Sequence, residues 1–265
     1  MKQAELILAD LLKGMAPAAE FLRASRADFQ LSQVEHKGKN DLVSDVDRET
    51  EALLVAACRK ILPEAGFILE EGDAEGSDQP WRWIIDPLDG TTNFIYGIPH
   101  YAVSIALKQN GRLLLGVVYD PMKDEMFAAA RGDGALLNNR KLRVNQKTSL
   151  SGTLLGTGIA FRKDQSLDLS LDSMKALLPG TAGVRRPGAA SLDLAYVAAG
   201  RFDGFWEFGL NEWDLAAGAL IVQEAGGLVG DPRGGNTHLQ TGDIIAANPK
   251  VFREMVQRLH PVLSK

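Results

Sequence analysis

The sequence predicts a mixed α/β fold, and three observations predict it. Two short apolar runs, Phe67-Ile-Leu69 and Trp83-Ile-Ile85, each end abruptly in acids, as buried strands do when they deliver side chains to a sheet edge. A sustained β pattern follows from Tyr101 to Ala130. Apolar residues at helical spacing occupy the start of the chain, its end and several stretches between.

In chain order, Leu8, Leu11, Leu12, Met15, Ala19 and Leu22 form one stripe, an amphipathic helix from residue 4 to about 27, bent near Pro17. Gln30 to Asp41 is mostly polar, and Lys37-Gly-Lys-Asn40 reads as a turn or mobile loop. Ser44 and Asp47 have capping-box spacing at the head of a second helix, whose buried stripe is Val46, Leu53, Leu54, Ala57 and Ile61. On the residues alone Asp47 reads first as a first-turn acid favouring the helix dipole. The strands 67–69 and 83–85 come next, joined by a polar surface loop from Asp73 to Gln79. Tyr101–Lys108, Gly111–Tyr119 and Glu125–Ala130 are successive strands, with turns at Asn110-Gly111 and Asp120-Pro121. A further hairpin turns at Asn138-Asn139.

Near Ser149 the pattern changes, so an N-terminal α+β lobe is expected over 1–148 and a C-terminal α/β lobe over 149–265, the two forming one compact unit. In the second lobe Thr153–Gly158 is strand-like, Leu167–Leu178 helical, and Leu192–Ala199 a small-residue helix stopped by Gly200. Phe202–Phe208 is a strand carrying Glu207. A helix spans Leu215–Ala225 with Asp214 at its N-cap. Leu228-Val229 and Ile244–Ala247 are strands, and Pro249 starts a closing helix to about Leu259.

With 29 basic against 34 acidic residues the chain carries a formal charge of −5, which argues against a dedicated nucleic-acid binder. Its single cysteine, Cys58, lies in the apolar stripe of the second helix and excludes an internal disulfide. Glu64 rather than Arg stands six positions after it, so this is no cysteine-phosphatase loop. There is no signal peptide pattern and no run of 18 apolar residues, which makes a cytoplasmic protein without membrane spans the expectation. Gly-x-Ser-x-Gly and phosphate-loop motifs are absent, and the four histidines are isolated, without zinc spacing.

What remains is a surplus of carboxylates at strand ends. Asp86-Pro-Leu-Asp89-Gly-Thr-Thr places two acids three residues apart, a glycine free to make an unusual turn, then two hydroxyls. Oxygen ligands beside N–H and hydroxyl groups suit a hard cation held next to a phosphate, although the same residue types also favour plain surface turns. Glu70-Glu71-Gly72 repeats the arrangement sixteen residues upstream, so two neighbouring strands can bring their acids to one edge. The aspartyl-phosphate design spaces its acids Asp-x-Asp; the longer Asp-Pro-Leu-Asp suits carboxylates that bridge metals, and favours direct attack by water.

Asp86-Pro-Leu-Asp-Gly-Thr-Thr-Asn-Phe94, Glu70-Glu71 and Trp213-Asp214-x-Ala-Ala-Gly218 together resemble the inositol monophosphatase family of lithium-sensitive, Mg²⁺-dependent phosphatases. The resemblance runs from Lys37-Gly-x-Asn-Asp41 to Ile244-Ile-Ala-Ala-Asn248. Arg185-Arg-x-Gly188-x-Ala and Asp193-Leu-Ala-Tyr-Val-Ala-Ala-Gly are similar to its bacterial branch. It implies a layered αβαβα sandwich, a homodimer, and hydrolysis of a small phosphorylated alcohol such as myo-inositol 1-phosphate without a phosphoenzyme. It also implies two or three Mg²⁺ per site, replaceable by Mn²⁺. Glu70, Asp86 and the carbonyl of Leu88 match the ligands of a first metal; Asp86, Asp89 and Asp214 match those of a second. Asp47 matches a residue near a third metal, and forms the catalytic set with Glu70 and Thr91, which would orient the attacking water. Substrate contacts fall on Asp89, Gly90, Thr91, Arg185, Gly188, Ala189, Ala190, Glu207 and Asp214. The family commonly has Ser or Thr where this chain has Ala189. Sibling substrates under the resemblance are fructose 1,6-bisphosphate, a 3′-phosphoadenosine nucleotide and histidinol phosphate. Some bacterial members are associated with the transcription and RNA-processing machinery, which makes that machinery a candidate partner.

Overall fold

The computed structural model describes residues 3–29, 34–38, 41–160 and 166–264. The first stripe forms two helices rather than one bent helix: α1 (Gln3–Gly14) and α2 (Ala16–Asp28) are separated at Met15, with Pro17 in the first turn of the second. A proline there lacks only an N–H that the helix start leaves unpaired in any case. Within the polar stretch after them the described residues form a ladder, β1 (Val34–Gly38) pairing antiparallel with β2 (Asp41–Ser44), while residues 39 and 40 of the expected Lys37–Asn40 turn lie outside the described residues. Helix α3 (Asp45–Ile61) follows.

Seven strands then build the first sheet: β3 (Gly66–Leu69), β4 (Trp81–Asp89), β5 (Ala102–Gln109), β6 (Arg112–Asp120), β7 (Glu125–Ala130), β8 (Gly134–Leu137) and β9 (Arg140–Lys141), in that spatial order. Only a short helix, α4 (Thr91–Ile95), interrupts them. β3 and β4 run parallel and the rest is an antiparallel meander. Asn110, Gly111, Asn138 and Asn139 hold positive φ at the predicted hairpin turns, as tight turns matching the strand twist require.

The remaining elements are β10 (Leu154–Thr157), α5 (Leu167–Leu177), β11 (Gly183–Arg185), α6 (Ala190–Ala198), β12 (Gly204–Glu207), α7 (Glu212–Glu224), β13 (Leu228–Gly230), α8 (His238–Thr241), β14 (Ile244–Ala247) and α9 (Pro249–Leu263). Their strands form a five-stranded sheet ordered β11-β10-β12-β14-β13. The closing helix runs one turn past its expected end, carrying Pro261 inside it.

Strand periodicity sorts the chain into five layers. On β4, Trp83 and Ile85 face α1, α2 and α3, while Ile84 faces the opposite way, toward α6 and α7. On the second sheet Phe205, Ile244 and Ala246 face those same two helices, and Trp206, Ile245 and Ala247 face α5 and α9. The result is an αβαβα sandwich. The middle-layer helix α7 is buried from Leu215 through Val222 without a break, as a helix covered on both sides must be. It lies close on β6, where a Cβ at Gly116 would come within 2.9 Å of the Ala217 backbone.

Candidate active site

The parallel register pairs Leu69 with Ile85, so the residues that follow them, Glu70 and Asp86, emerge at the same end of neighbouring strands. Asp-Pro-Leu-Asp is not a turn but the continuation of β4 through a bulge: Asp86 pairs with Ser104 and Asp89 with Ala102, three steps on one strand against two on the other. In a regular strand residues i and i+3 face opposite sides; the extra residue resets that phase and lets both acids point one way. Leu88 is buried in the core beneath them, and its N–H donates to Asp86 Oδ1 at 2.9 Å.

Gly90 takes φ +94°, and a Cβ there would meet the His100 carbonyl at 3.1 Å and Ala189 Cβ at 3.2 Å. The chain then enters α4 at Thr91. Thr91 Oγ1 lies 3.2 Å from Asp47 Oδ1 and 3.1 Å from the Leu88 carbonyl, two acceptors for a single hydroxyl proton. Asp47 thus reaches the acidic edge from α3, wholly buried. One helical turn on, Glu51 Oε2 accepts the Glu71 N–H at 3.0 Å and so ties the Glu70-Glu71 bend to the same helix.

Asp214 arrives on α7. Asn211, not Asp214, is the N-cap; Asp214 is the third helical residue, and its Oδ2 accepts the Asn211 N–H at 2.6 Å in the manner of a capping box. Ser104 Oγ donates to the Trp213 carbonyl at 3.0 Å, and Lys108 pairs with Glu212 at 2.6 Å, which docks the start of α7 on β5. One carboxylate oxygen each from Asp86, Asp89 and Asp214 lie within 4.8 Å of one another. Glu70 stands outside that trio, near enough to Asp86 to act on it electrostatically. Burial first, then the charges of Glu70, Asp89 and Asp214, push the Asp86 carboxyl well above the usual carboxylate range. Burial also raises Asp89, against the hydrogen bonds that Ser191 gives it. Protons and a divalent cation compete for such a cluster, and a donor set made entirely of oxygen fits a hard cation such as Mg²⁺, Mn²⁺ or Ca²⁺.

The segment before α6 forms the opposite wall. Asn93 Nδ2 donates to the His100 carbonyl at 2.7 Å and to the Pro187 carbonyl at 2.9 Å, tying that segment to the acid motif. Gly188 has φ +96°, Ala189 is the N-cap of α6 and Ala190 begins it, the two alanines being buried. Arg185 is not brought to the cluster: it is exposed on edge strand β11, with its Nη1 on the Val184 carbonyl. Arg186, exposed as well, is the neighbour that acts electrostatically on both Asp193 and Glu207. Glu207, at the end of β12, is raised well above its ordinary range by burial and by Asp193 and Asp214. Gly158 lies against it, since a Cβ there would fall 1.8 Å from Glu207 Oε1.

Four polar groups at this wall are not singled out by the sequence. Ser191 donates both its N–H and its hydroxyl to Asp89, Asn93 staples the loop, and Asp193 is buried with His100 Nε2 3.6 Å from its Oδ1. Arg186 is the fourth. The available signal was polarity out of place: Ser191 and Asp193 interrupt an otherwise apolar, small-residue helix. His100, expected to be isolated, belongs to this wall.

Known proteins match this architecture. A model of the inositol monophosphatase family matches residues 7–262. The chain is 52% identical over 261 residues to the Nus factor SuhB of Pseudomonas aeruginosa, covering 95% of each. The crystal structure of the extragenic suppressor protein SuhB from Bartonella henselae superposes with a TM-score of 0.91 at 41% identity, over 96% of this chain and 98% of that one. The inositol monophosphatase from an Anabaena (Nostoc) species superposes with a TM-score of 0.87 at 34% identity, over 98% and 97%.

Proposed function

This chain belongs to the inositol monophosphatase family, and from that premise we propose that it is a Mg²⁺-dependent phosphomonoesterase whose substrate is a small polyol phosphate, myo-inositol 1-phosphate first among them. The observation that carries the reading is the approach of Asp86, Asp89 and Asp214, from two remote parts of the chain, to within 4.8 Å. Asp86 would be shared by two ions, with Glu70 and the Leu88 carbonyl completing the first set and Asp89 and Asp214 the second; Asp47 would stand near a third. Bound there, the ions would supply Lewis-acid activation of the phosphate ester and of the attacking water.

The chain's own groups would orient that water. With its proton given to Asp47 or to the Leu88 carbonyl, Thr91 Oγ1 presents lone pairs, and beside Glu70 it would accept from the water and aim it in line with the leaving alcohol. Asp47 Oδ1 is the acceptor at the end of that path. The Gly90 and Thr91 amides would hold phosphate oxygens. Glu207 and the Gly188–Ala190 backbone would face the alcohol, with Arg186 in place of the expected Arg185. No residue is consumed as a nucleophile, so the products are the free alcohol and orthophosphate.

The test is Asp86→Asn: turnover is lost while the melting temperature is retained, and full activity in that variant refutes the assignment. Inhibition by Li⁺ is the second expectation. A panel of inositol phosphate, fructose 1,6-bisphosphate, 3′-phosphoadenosine nucleotide and histidinol phosphate, ranked by kcat/KM, separates the sibling substrates.

A second reading is favoured by the name of the Pseudomonas relative, Nus factor SuhB. A role beside the transcription machinery would use a surface of the same fold, and recovery of polymerase-associated factors by both wild type and Asp86→Asn would separate it from catalysis. A homodimer in the cytoplasm completes the proposal; among the described residues no helix is long and apolar enough to cross a membrane.

A further inference from the structure

Helix α6 begins without a side-chain cap of its own. Its N-cap residue, Ala189, has no oxygen to offer, and no side-chain cap bond is made there. The missing acceptor comes from another part of the chain: Asp89 Oδ2 accepts the N–H of Ser191, the second helical residue, at 2.7 Å, which is the bond an N-cap aspartate would accept. The Ser191 hydroxyl donates to the same oxygen, and Ser191 is fully buried. A carboxylate oxygen has two in-plane lone-pair positions, so the two Ser191 donors fill those of Oδ2; the Ala190 N–H adds one more bond to the same carboxylate, which still leaves Oδ1 at least one open position to face a cation.

The geometry points to Ser191 as a positioning residue for the metal site: its hydroxyl fixes Asp89 so that it offers a single oxygen toward Asp86 and Asp214, and it thereby sets how tightly the second ion is held. This rests on the metal-site reading above. The hydroxyl absent at position 189 is supplied two residues later and directed at the ligand itself. Without it Oδ2 keeps one free lone pair, and the carboxylate can rotate away from the position shared with its two neighbours. Partners of this kind, behind a metal ligand, typically govern affinity by about 10- to 100-fold.

The experiment titrates Mn²⁺ into the full-length, metal-stripped chain by calorimetry and by the loss of free-Mn²⁺ paramagnetic resonance, for wild type, Ser191→Ala, Ser191→Thr and Asp89→Asn, each checked for its melting temperature without metal. Ser191→Ala is expected to weaken Mn²⁺ binding about tenfold, Ser191→Thr to restore it to within about twofold, and Asp89→Asn to abolish the second site. If Ser191→Ala does not survive stripping, Ser191→Cys, similar in volume but a weak donor, carries the same expectation. Wild-type affinity in Ser191→Ala with binding lost in Asp89→Asn overturns the role of Ser191 and leaves the metal reading standing. Wild-type affinity in Asp89→Asn overturns the metal reading itself.

Discussion

Ser104, the residue opposite Asp86 in the β4–β5 ladder, donates its hydroxyl to the carbonyl of Trp213, the residue before Asp214. One rung of the first sheet therefore fixes two acids that lie 128 positions apart in the sequence (214 − 86). Lys108, four residues further along β5, grips Glu212 in the same turn of α7. Docking of the middle layer and assembly of the acidic cluster are one structural event.

Removing that hydroxyl tests the link. Ser104→Ala is expected to lower stability by about 1 kcal/mol, the worth of one ordinary hydrogen bond. It should raise the Mg²⁺ concentration needed for half-maximal activity by a larger factor than that loss implies, because Asp214 is freed to drift. Denaturant melts and metal titration of the same variant check the two effects. Equal Mg²⁺ requirement in variant and wild type would separate α7 docking from the site.

The buried acids set a pH dependence. Asp86, Asp193 and Glu207 all have carboxyls held above their ordinary range, chiefly by burial. A carboxyl raised in the folded state contributes stability below its unfolded pKa and loses it as pH rises through the folded value. Without divalent ions the melting temperature should therefore fall as pH climbs above the ordinary carboxylate range. Added Mg²⁺ should flatten the decline by taking over from the protons. Melting curves with chelator and with Mg²⁺, between about pH 5 and 8, check this, and parallel curves would contradict it.

Gly158 reports on the wall proposed to face the alcohol. A Cβ there cannot coexist with Glu207 in its present position, so Gly158→Ala must displace that carboxyl. Steady-state kinetics should show KM for the polyol phosphate rising several-fold, with metal affinity near that of the wild type, since the acidic trio is untouched.

The two adjacent arginines separate geometry from motif. Arg186→Ala should raise KM more than Arg185→Ala does, because Arg186 acts on Asp193 and Glu207 while Arg185 lies on its own strand's carbonyl. The reverse order would return the substrate contact to Arg185.

Much of this site can be read from residues 67–94, and the reasons are physical. A strand that is buried along its length and then ends in acids has few uses, and the parallel pairing of β3 with β4 follows directly from two such runs. The reading falters where several residue types share a preference. Asp-Pro-Leu-Asp has the composition of a turn, and only pairing with β5 makes it a bulged strand. Gln30 to Asp41 looks like a loop because it is mostly polar and carries no period-2 signal, yet Val34–Gly38 pairs with Asp41–Ser44 in a backbone ladder. Arg185 and Arg186 are indistinguishable as letters; both are exposed, and only the folded arrangement brings Arg186 near enough to act on Asp193 and Glu207. Ser191 on Asp89 spans 102 residues and replaces a cap that the local sequence lacks, so no local rule announces it. Long-range contacts that substitute for local ones leave no trace in a window of sequence.

Crystals grown or soaked with Mn²⁺ and measured for anomalous scattering put the central claim to its most direct test. The account predicts anomalous density between Asp86, Asp89 and Asp214, lost in Asp86→Asn. No density among those three carboxylates in well-ordered, Mn²⁺-loaded wild-type crystals would contradict it.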